Sequence, residues 1–126
     1  MKVLVVEDDL VLRAVLKQFF TLKGHEVYEA ADGRQGYQLL VRESQLDLII
    51  TDIMMPRMNG YEMIEAIKAN PDLRGIPVIV ITAGKIDSEK FNSSGANEIY
   101  QKPLALDQLL KKAETLIQLA NPESNT

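Results

Sequence analysis

Apolar and polar positions along this chain follow two alternating rhythms. Five short runs, Lys2–Val6, Glu26–Glu29, Asp47–Thr51, Pro77–Ile81 and Glu98–Gln101, are dense in apolar residues. Between them apolar residues recur every three or four positions. The first rhythm predicts strands and the second amphipathic helices. The first, third and fourth runs are almost continuously apolar and rich in Val and Ile. Strands that read this way are covered on both faces, as in a parallel sheet between layers of helices. Alternation of strand and helix implies right-handed βαβ units, so the expected class is α/β.

Local signals set the helix ends. The first helix is expected over Leu10–Lys23, with Leu12, Val15, Leu16 and Phe19 on its apolar face, Asp9 as cap and Gly24 as stop. The second, Arg34–Arg42, follows Asp32-Gly33 and carries Tyr37, Leu40 and Val41. The third opens at Asn59, with Glu62 placed for a capping box, carries Tyr61, Ile64 and Ile67, and ends at Asn70-Pro71. Asp87–Ser94 holds poor helix formers and predicts a short, irregular fourth helix. The last, Ala105–Leu119, aligns Leu106, Leu109, Leu110, Ala113, Leu116 and Ile117. One domain is expected over residues 1–120, followed by a polar tail, 121–126, that frays.

Composition narrows the function classes. A chain of 126 residues, 46% hydrophobic, suits a single domain with a real core. It has no cysteine, which excludes disulfides, thiol catalysis and Cys-ligated metals and fits a reducing compartment. No signal peptide or membrane-spanning run is visible, so a cytoplasmic location and no membrane partner are expected. The net charge of -4 is scattered, with no basic stripe for direct nucleic-acid binding. His25, the single histidine, follows Gly24 and reads as a surface residue; the five methionines read as core filler, Met54 and Met55 also bordering the candidate pocket.

The chemistry gathers at strand ends. The first strand runs into Glu7-Asp8-Asp9, the third into Asp52, the fourth into Thr82-Ala83, and the fifth into Lys102-Pro103. In an open parallel sheet, ligands bind at these carboxyl ends. Glu7, Asp8 and Asp52 would repel one another if bare, and a divalent cation relieves that conflict. Magnesium takes carboxylates, carbonyls and waters, so the backbone carbonyl of Met54 is a candidate fourth donor. A carboxylate beside such an ion is a reasonable nucleophile toward phosphorus. Lys102, the Thr82 hydroxyl and the Ala83 backbone N–H are the expected phosphoryl-binding groups. Asp9 reads as a cap only.

Taken in order, Val5-Val6-Glu7-Asp8, Asp52 with Met55-Pro56 and Asn59-Gly60, Thr82-Ala83, and Lys102-Pro103 resemble the receiver domain of two-component response regulators over about Lys2 to Leu119. The resemblance implies a doubly wound, flavodoxin-like sheet of five parallel strands in the order 2-1-3-4-5, the order for which the chemotaxis receiver is a standard example. It implies that Asp52 is the phosphoacceptor, served by a histidine kinase or phosphotransfer protein. By the same likeness Asp8 and Asp52 hold Mg2+ directly and Glu7 acts mostly through a metal-bound water. A downstream protein would read the face made by the fourth helix, fifth strand and last helix.

Four features depart from the family's usual pattern. Ile99 stands at the switch position that is often aromatic, while Tyr100 beside it should face the other way. The segment from Thr82 to Gly95 is short. Met54 and Gly84 hold loop positions that in relatives influence water access to the acyl phosphate, and neither offers a polar side chain. Only the short polar tail stands after the last helix, and both a single-domain receiver and a piece of a longer regulator fit the sequence. Ile99 and the weak fourth helix favour one alternative, a degenerate receiver acting as a constitutive interaction module. A true enzyme is not expected: a phosphohydrolase of the haloacid-dehalogenase type needs an acid/base aspartate two residues after its nucleophile, and Met54 stands there.

Overall fold

The computed structural model describes residues 1–43 and 45–120; the expected fraying tail, 121–126, lies outside them. Five strands, β1 (Lys2–Val6), β2 (Glu26–Ala30), β3 (Leu48–Asp52), β4 (Val78–Thr82) and β5 (Glu98–Gln101), alternate with α1 (Leu10–Leu22), α2 (Gly33–Arg42), α3 (Gly60–Ala69), α4 (Ser88–Ser94) and α5 (Leu106–Ala120). All strands pair in parallel, in the order β2-β1-β3-β4-β5. The class and order match expectation.

Alternating residues of the central strands feed two cores. Leu4, Val6, Ile49, Val78 and Val80 pack with Leu40 of α2 and Met63, Ile64 and Ile67 of α3. Val3, Val5, Leu48, Ile50, Ile79 and Ile81 pack with Leu16 and Phe20 of α1 and with Leu109 and Ala113 of α5. The sheet is therefore covered on both faces, and each large apolar side chain fully buried there contributes roughly 1.5–3 kcal/mol. Helix faces differ from the sequence reading at four residues. Phe20 and Met63 are fully buried, whereas Val15 and Val41 are 42% and 61% exposed. On α1 and α2 the buried arc is narrower than the apolar residues suggest.

Strands β3 and β4 sit one residue later than expected. Asp47 spends its groups at the entry, its N–H donating to the Lys2 carbonyl and its carboxylate accepting from the Lys2 N–H. Pro77 has no N–H to give a ladder. At the far end Asp52 pairs with Ile81 in the ladder, and Thr82 with Gln101. The shift places both residues in the strand ladder at the sheet's carboxyl edge instead of in loops.

Helix ends follow side-chain chemistry. Asp9, Asp32, Asn59 and Asp87 cap α1, α2, α3 and α4, and Asn59 with Glu62 forms a complete capping box. Helix α4 has seven residues and buries none, as its composition implied. Gly60 brings α3 hard against β3: a Cβ there would run into the Asp52 carbonyl oxygen and approach Ile53 Cα to 3.0 Å. Gly60→Ala should therefore destabilise the fold by about 1–3 kcal/mol, the cost of overpacking. Gly75→Ala, with nothing within 4 Å of its Cβ, should be close to neutral. Urea denaturation checks both, and equal effects would contradict the close approach.

Candidate functional site

The carboxyl ends of β1, β3 and β5 deliver one acid, a second acid and a lysine to a common point. Glu7 directly follows β1 and is fully buried; Asp52 ends β3 and is 5% exposed. The Lys102 ammonium lies between them, its Nζ donating to Glu7 Oε1 at 2.8 Å and to Asp52 Oδ2 at 3.0 Å. Lys102 is fixed from its backbone, whose N–H donates to the Thr82 carbonyl at 2.8 Å; the Lys102–Pro103 peptide bond is cis. Asp52 Oδ1 accepts from the N–H groups of Ile53 at 2.7 Å and Met54 at 3.3 Å. Glu7 Oε2 accepts from the Asp9 N–H at 3.1 Å.

Asp8 is exposed and completes the group: one carboxylate oxygen from each of Glu7, Asp8 and Asp52 lies within 4.8 Å of the others. Three hard oxygen donors in that space, beside the Met54 backbone, suit a cation of the Mg2+ kind. The pKa directions agree with a negatively loaded cleft. Burial pushes the Glu7 carboxyl from 4.5 up to about 7, against the lowering effect of its bonds to Lys102 and the Asp9 N–H; the Asp52 charge adds to the rise. Burial alone would lower the Lys102 ammonium, but its bonds to Glu7 and Asp52 outweigh that and raise it.

A sequence model described as the response regulator receiver domain matches residues 3–114. The chain belongs to that family. It is 32% identical to response regulator MprA of Mycolicibacterium vanbaalenii over 97% of its own length and 52% of that protein's. It thus spans about half the length of the MprA proteins it matches. It is also 32% identical to a chemotaxis protein CheY homolog of Campylobacter jejuni, covering 98% of this chain and 97% of the homolog. Among solved structures, the receiver domain of a Syntrophus aciditrophicus signal transduction histidine kinase superposes with a TM-score of 0.88 at 30% identity, over 95% of this chain and 92% of the other. The receiver domain of a Pseudomonas aeruginosa sensor histidine kinase, solved with magnesium coordinated in its active-site cleft, gives a TM-score of 0.84 at 29% identity, over 92% and 96%.

The remaining expected residues lie on β4, β5 and the loops that follow β3 and β4. Thr82 ends β4, and its hydroxyl accepts from the Gly84 N–H at 3.1 Å; Ala83 is the next residue along. Ile99 pairs with Val80 and packs into the core on the α2–α3 side, while Tyr100 packs on the α1–α5 side, so the two face apart as expected. Met54 is 73% exposed and is not core filler, whereas Met63 is. His25 is half-buried rather than a surface residue: its ring lies 6.2 Å from that of Phe20, and burial lowers its pKa.

Several supporting residues carried no role in the sequence reading. Arg13 Nη1 donates to the Glu7 carbonyl at 2.8 Å, securing the end of β1 to α1. Gln101 Nε2 donates to the Gly84 carbonyl at 3.1 Å. Asp32 is buried at the start of α2 and paired with Arg57 at 2.9 Å. The Asp32-Gly33 cap signal was readable; the partner 25 residues away was not.

The raised Glu7 pKa sets a pH dependence. Below 4.5 the carboxyl is protonated in folded and unfolded chains alike. Between 4.5 and about 7 the unfolded chain gives up the proton and the folded protein keeps it, so Glu7's contribution falls as pH rises and is gone above about 7. Without metal, wild type should lose stability relative to Glu7→Gln across that window in thermal melts. A constant difference would contradict the shift.

Proposed function

We propose that this receiver takes a phosphoryl group onto Asp52 from a histidine kinase or phosphotransfer protein and thereby switches a protein-binding face. The observation that carries the reading is the Lys102 ammonium held 3.0 Å from Asp52 and 2.8 Å from Glu7, because a lone strand-end aspartate has no need of that partnership. Glu7, Asp8, Asp52 and the Met54 carbonyl would hold Mg2+, in line with the magnesium-bound relative. Bound there, the ion supplies charge neutralisation for the incoming phosphoryl group.

The chain's own residues do the rest. The Ile53 and Met54 N–H groups and the Lys102 ammonium fix both oxygens of the Asp52 carboxylate, so its approach to phosphorus is set before the donor arrives. The bond from the carboxylate to phosphorus forms as the donor's bond to phosphorus breaks. The product adds about -1.5 to -2 charge at one point. Lys102, the Thr82 hydroxyl and the Ala83 N–H then bind its oxygens. To do so Thr82 turns from the Gly84 N–H and frees the loop between β4 and α4. Helix α4 has no buried residue to resist the change, so the face formed by α4, β5 and α5 is the element whose population shifts. Coupling of this kind is worth about 1–3 kcal/mol. Gln101, two residues after Ile99 on β5, donates to the Gly84 carbonyl of that loop, which supports a coupling route that needs no aromatic side chain at position 99. The chain is a signalling module, with its own phosphorylation and dephosphorylation as its chemistry, and the cysteine-free composition supports a cytoplasmic setting.

Acetyl phosphate with Mg2+ should add one phosphoryl group to the protein by intact-mass measurement, and Asp52→Asn should add none. Equal incorporation in the variant would sink the reading. The phosphorylated form should decay slowly for a receiver, over minutes or longer, since neither Met54 nor Gly84 offers a polar side chain to guide water. A half-life of seconds would contradict that.

A further inference from the structure

The loop from Ile53 to Asn59 forms one wall of the cleft, and it is gripped from outside. Arg57 sits in it at φ 67°, a left-handed conformation disfavoured for any residue with a Cβ. Its Nη1 donates to Asp32 Oδ2 at 2.9 Å, while Asp32 Oδ1 accepts from the Gln35 N–H at 2.9 Å and caps α2. Asp32 is 1% exposed, so its charge has been taken out of water and needs a partner. The next residue along, Met58, accepts at its carbonyl from the Gly33 N–H at 3.1 Å, and a Cβ on Gly33 would lie 2.5 Å from that oxygen. Two adjacent bonds, one of them charge-assisted, thus fasten the loop to the turn before α2. From this point the loop runs back to the Met54 and Ile53 N–H groups on Asp52 and forward to Gly60, whose N–H donates to the Ile53 carbonyl at 2.9 Å.

We infer that Asp32 and Arg57 are positioning residues for the phosphoacceptor site: their ion pair clamps the loop to the start of α2 and so fixes the Met54 carbonyl and the amides that orient Asp52. The inference rests on the phosphoacceptor reading above. The Arg57 side chain is 66% exposed. Core filling is therefore not its task; its guanidinium serves the buried Asp32 carboxylate, whose charge would otherwise stand uncompensated. Its loss should be felt at the cleft.

Two variants separate the pair from its backbone. Arg57→Gly removes the side chain and suits the left-handed conformation. Asp32→Asn removes the charge and keeps a helix cap. Amide hydrogen exchange on the metal-free protein should quicken at Ile53 and Met54 in both. The Mg2+ dissociation constant should rise about tenfold, the low end for losing a group that holds a ligand in place. Incorporation from acetyl phosphate should slow, and the double variant should be no worse than either single. Arg57→Lys, which can still place a donor on Asp32, should restore most of the affinity. Unchanged exchange and Mg2+ affinity in both singles would overturn the inference, as would losses that add in the double or that lysine fails to restore. If wild type takes up no phosphoryl group, the phosphoacceptor reading fails, while exchange and Mg2+ affinity still decide the clamp.

Discussion

Buried carboxylates repel, and this fold brings two of them to one point on a single ammonium group. Lys102 satisfies Glu7 and Asp52 together and is itself only 19% exposed. Taking one partner away from such a cluster leaves charge without compensation in a poorly solvated place, which is far costlier than losing a surface pair. The arrangement is therefore stable as it stands and is also unfinished. Asp8 adds a third carboxylate oxygen within 4.8 Å, and burial raises the Glu7 carboxyl to about 7, with the Asp52 charge adding to the rise. A cation would relieve that burden and, on the proposed function, leave the lysine free to face phosphoryl oxygens.

The surrounding structure exists to keep those groups in register. Parallel pairing of β1, β3, β4 and β5 brings their carboxyl ends to one edge. The Arg13 bond to the Glu7 carbonyl, the Lys102 N–H bond to Thr82, and the close seat of Gly60 on β3 fasten each contributor separately. The Asp32–Arg57 pair extends the same logic to the loop between β3 and α3. The other side of the cleft is held more loosely. Thr82 and Gln101 bind Gly84 through single neutral hydrogen bonds, and α4 buries nothing. On the proposed function, the wall with more anchors would hold the acceptor and the other would adjust, the division a switch requires.

Much of this was readable in the residues. Val- and Ile-rich runs ending in acids, a hydroxyl and a lysine pointed to a covered parallel sheet with its chemistry at one edge, and Glu7, Asp8, Asp52 and Lys102 converge there. Helix faces were read less well. Val15 and Val41 fit the apolar period yet face solvent, because periodicity records composition and not where a neighbouring helix stops. His25 failed for the opposite reason: a turn residue beside Gly24 found cover from Phe20, one helical turn back. Asp32 and Arg57 carried no mutual signal, since a long-range ion pair through an exposed arginine has neither spacing nor pattern to announce it.

The most direct test of the charge cluster is a Mg2+ titration of the metal-free protein followed by amide NMR. Saturable shifts in the millimolar range at Glu7, Asp8 and Asp52 through Met54, weakened in Asp8→Asn, are the expected result. Shifts that never saturate, or that scatter over surface acids such as Glu65 and Glu114 and spare the strand ends, would contradict the account.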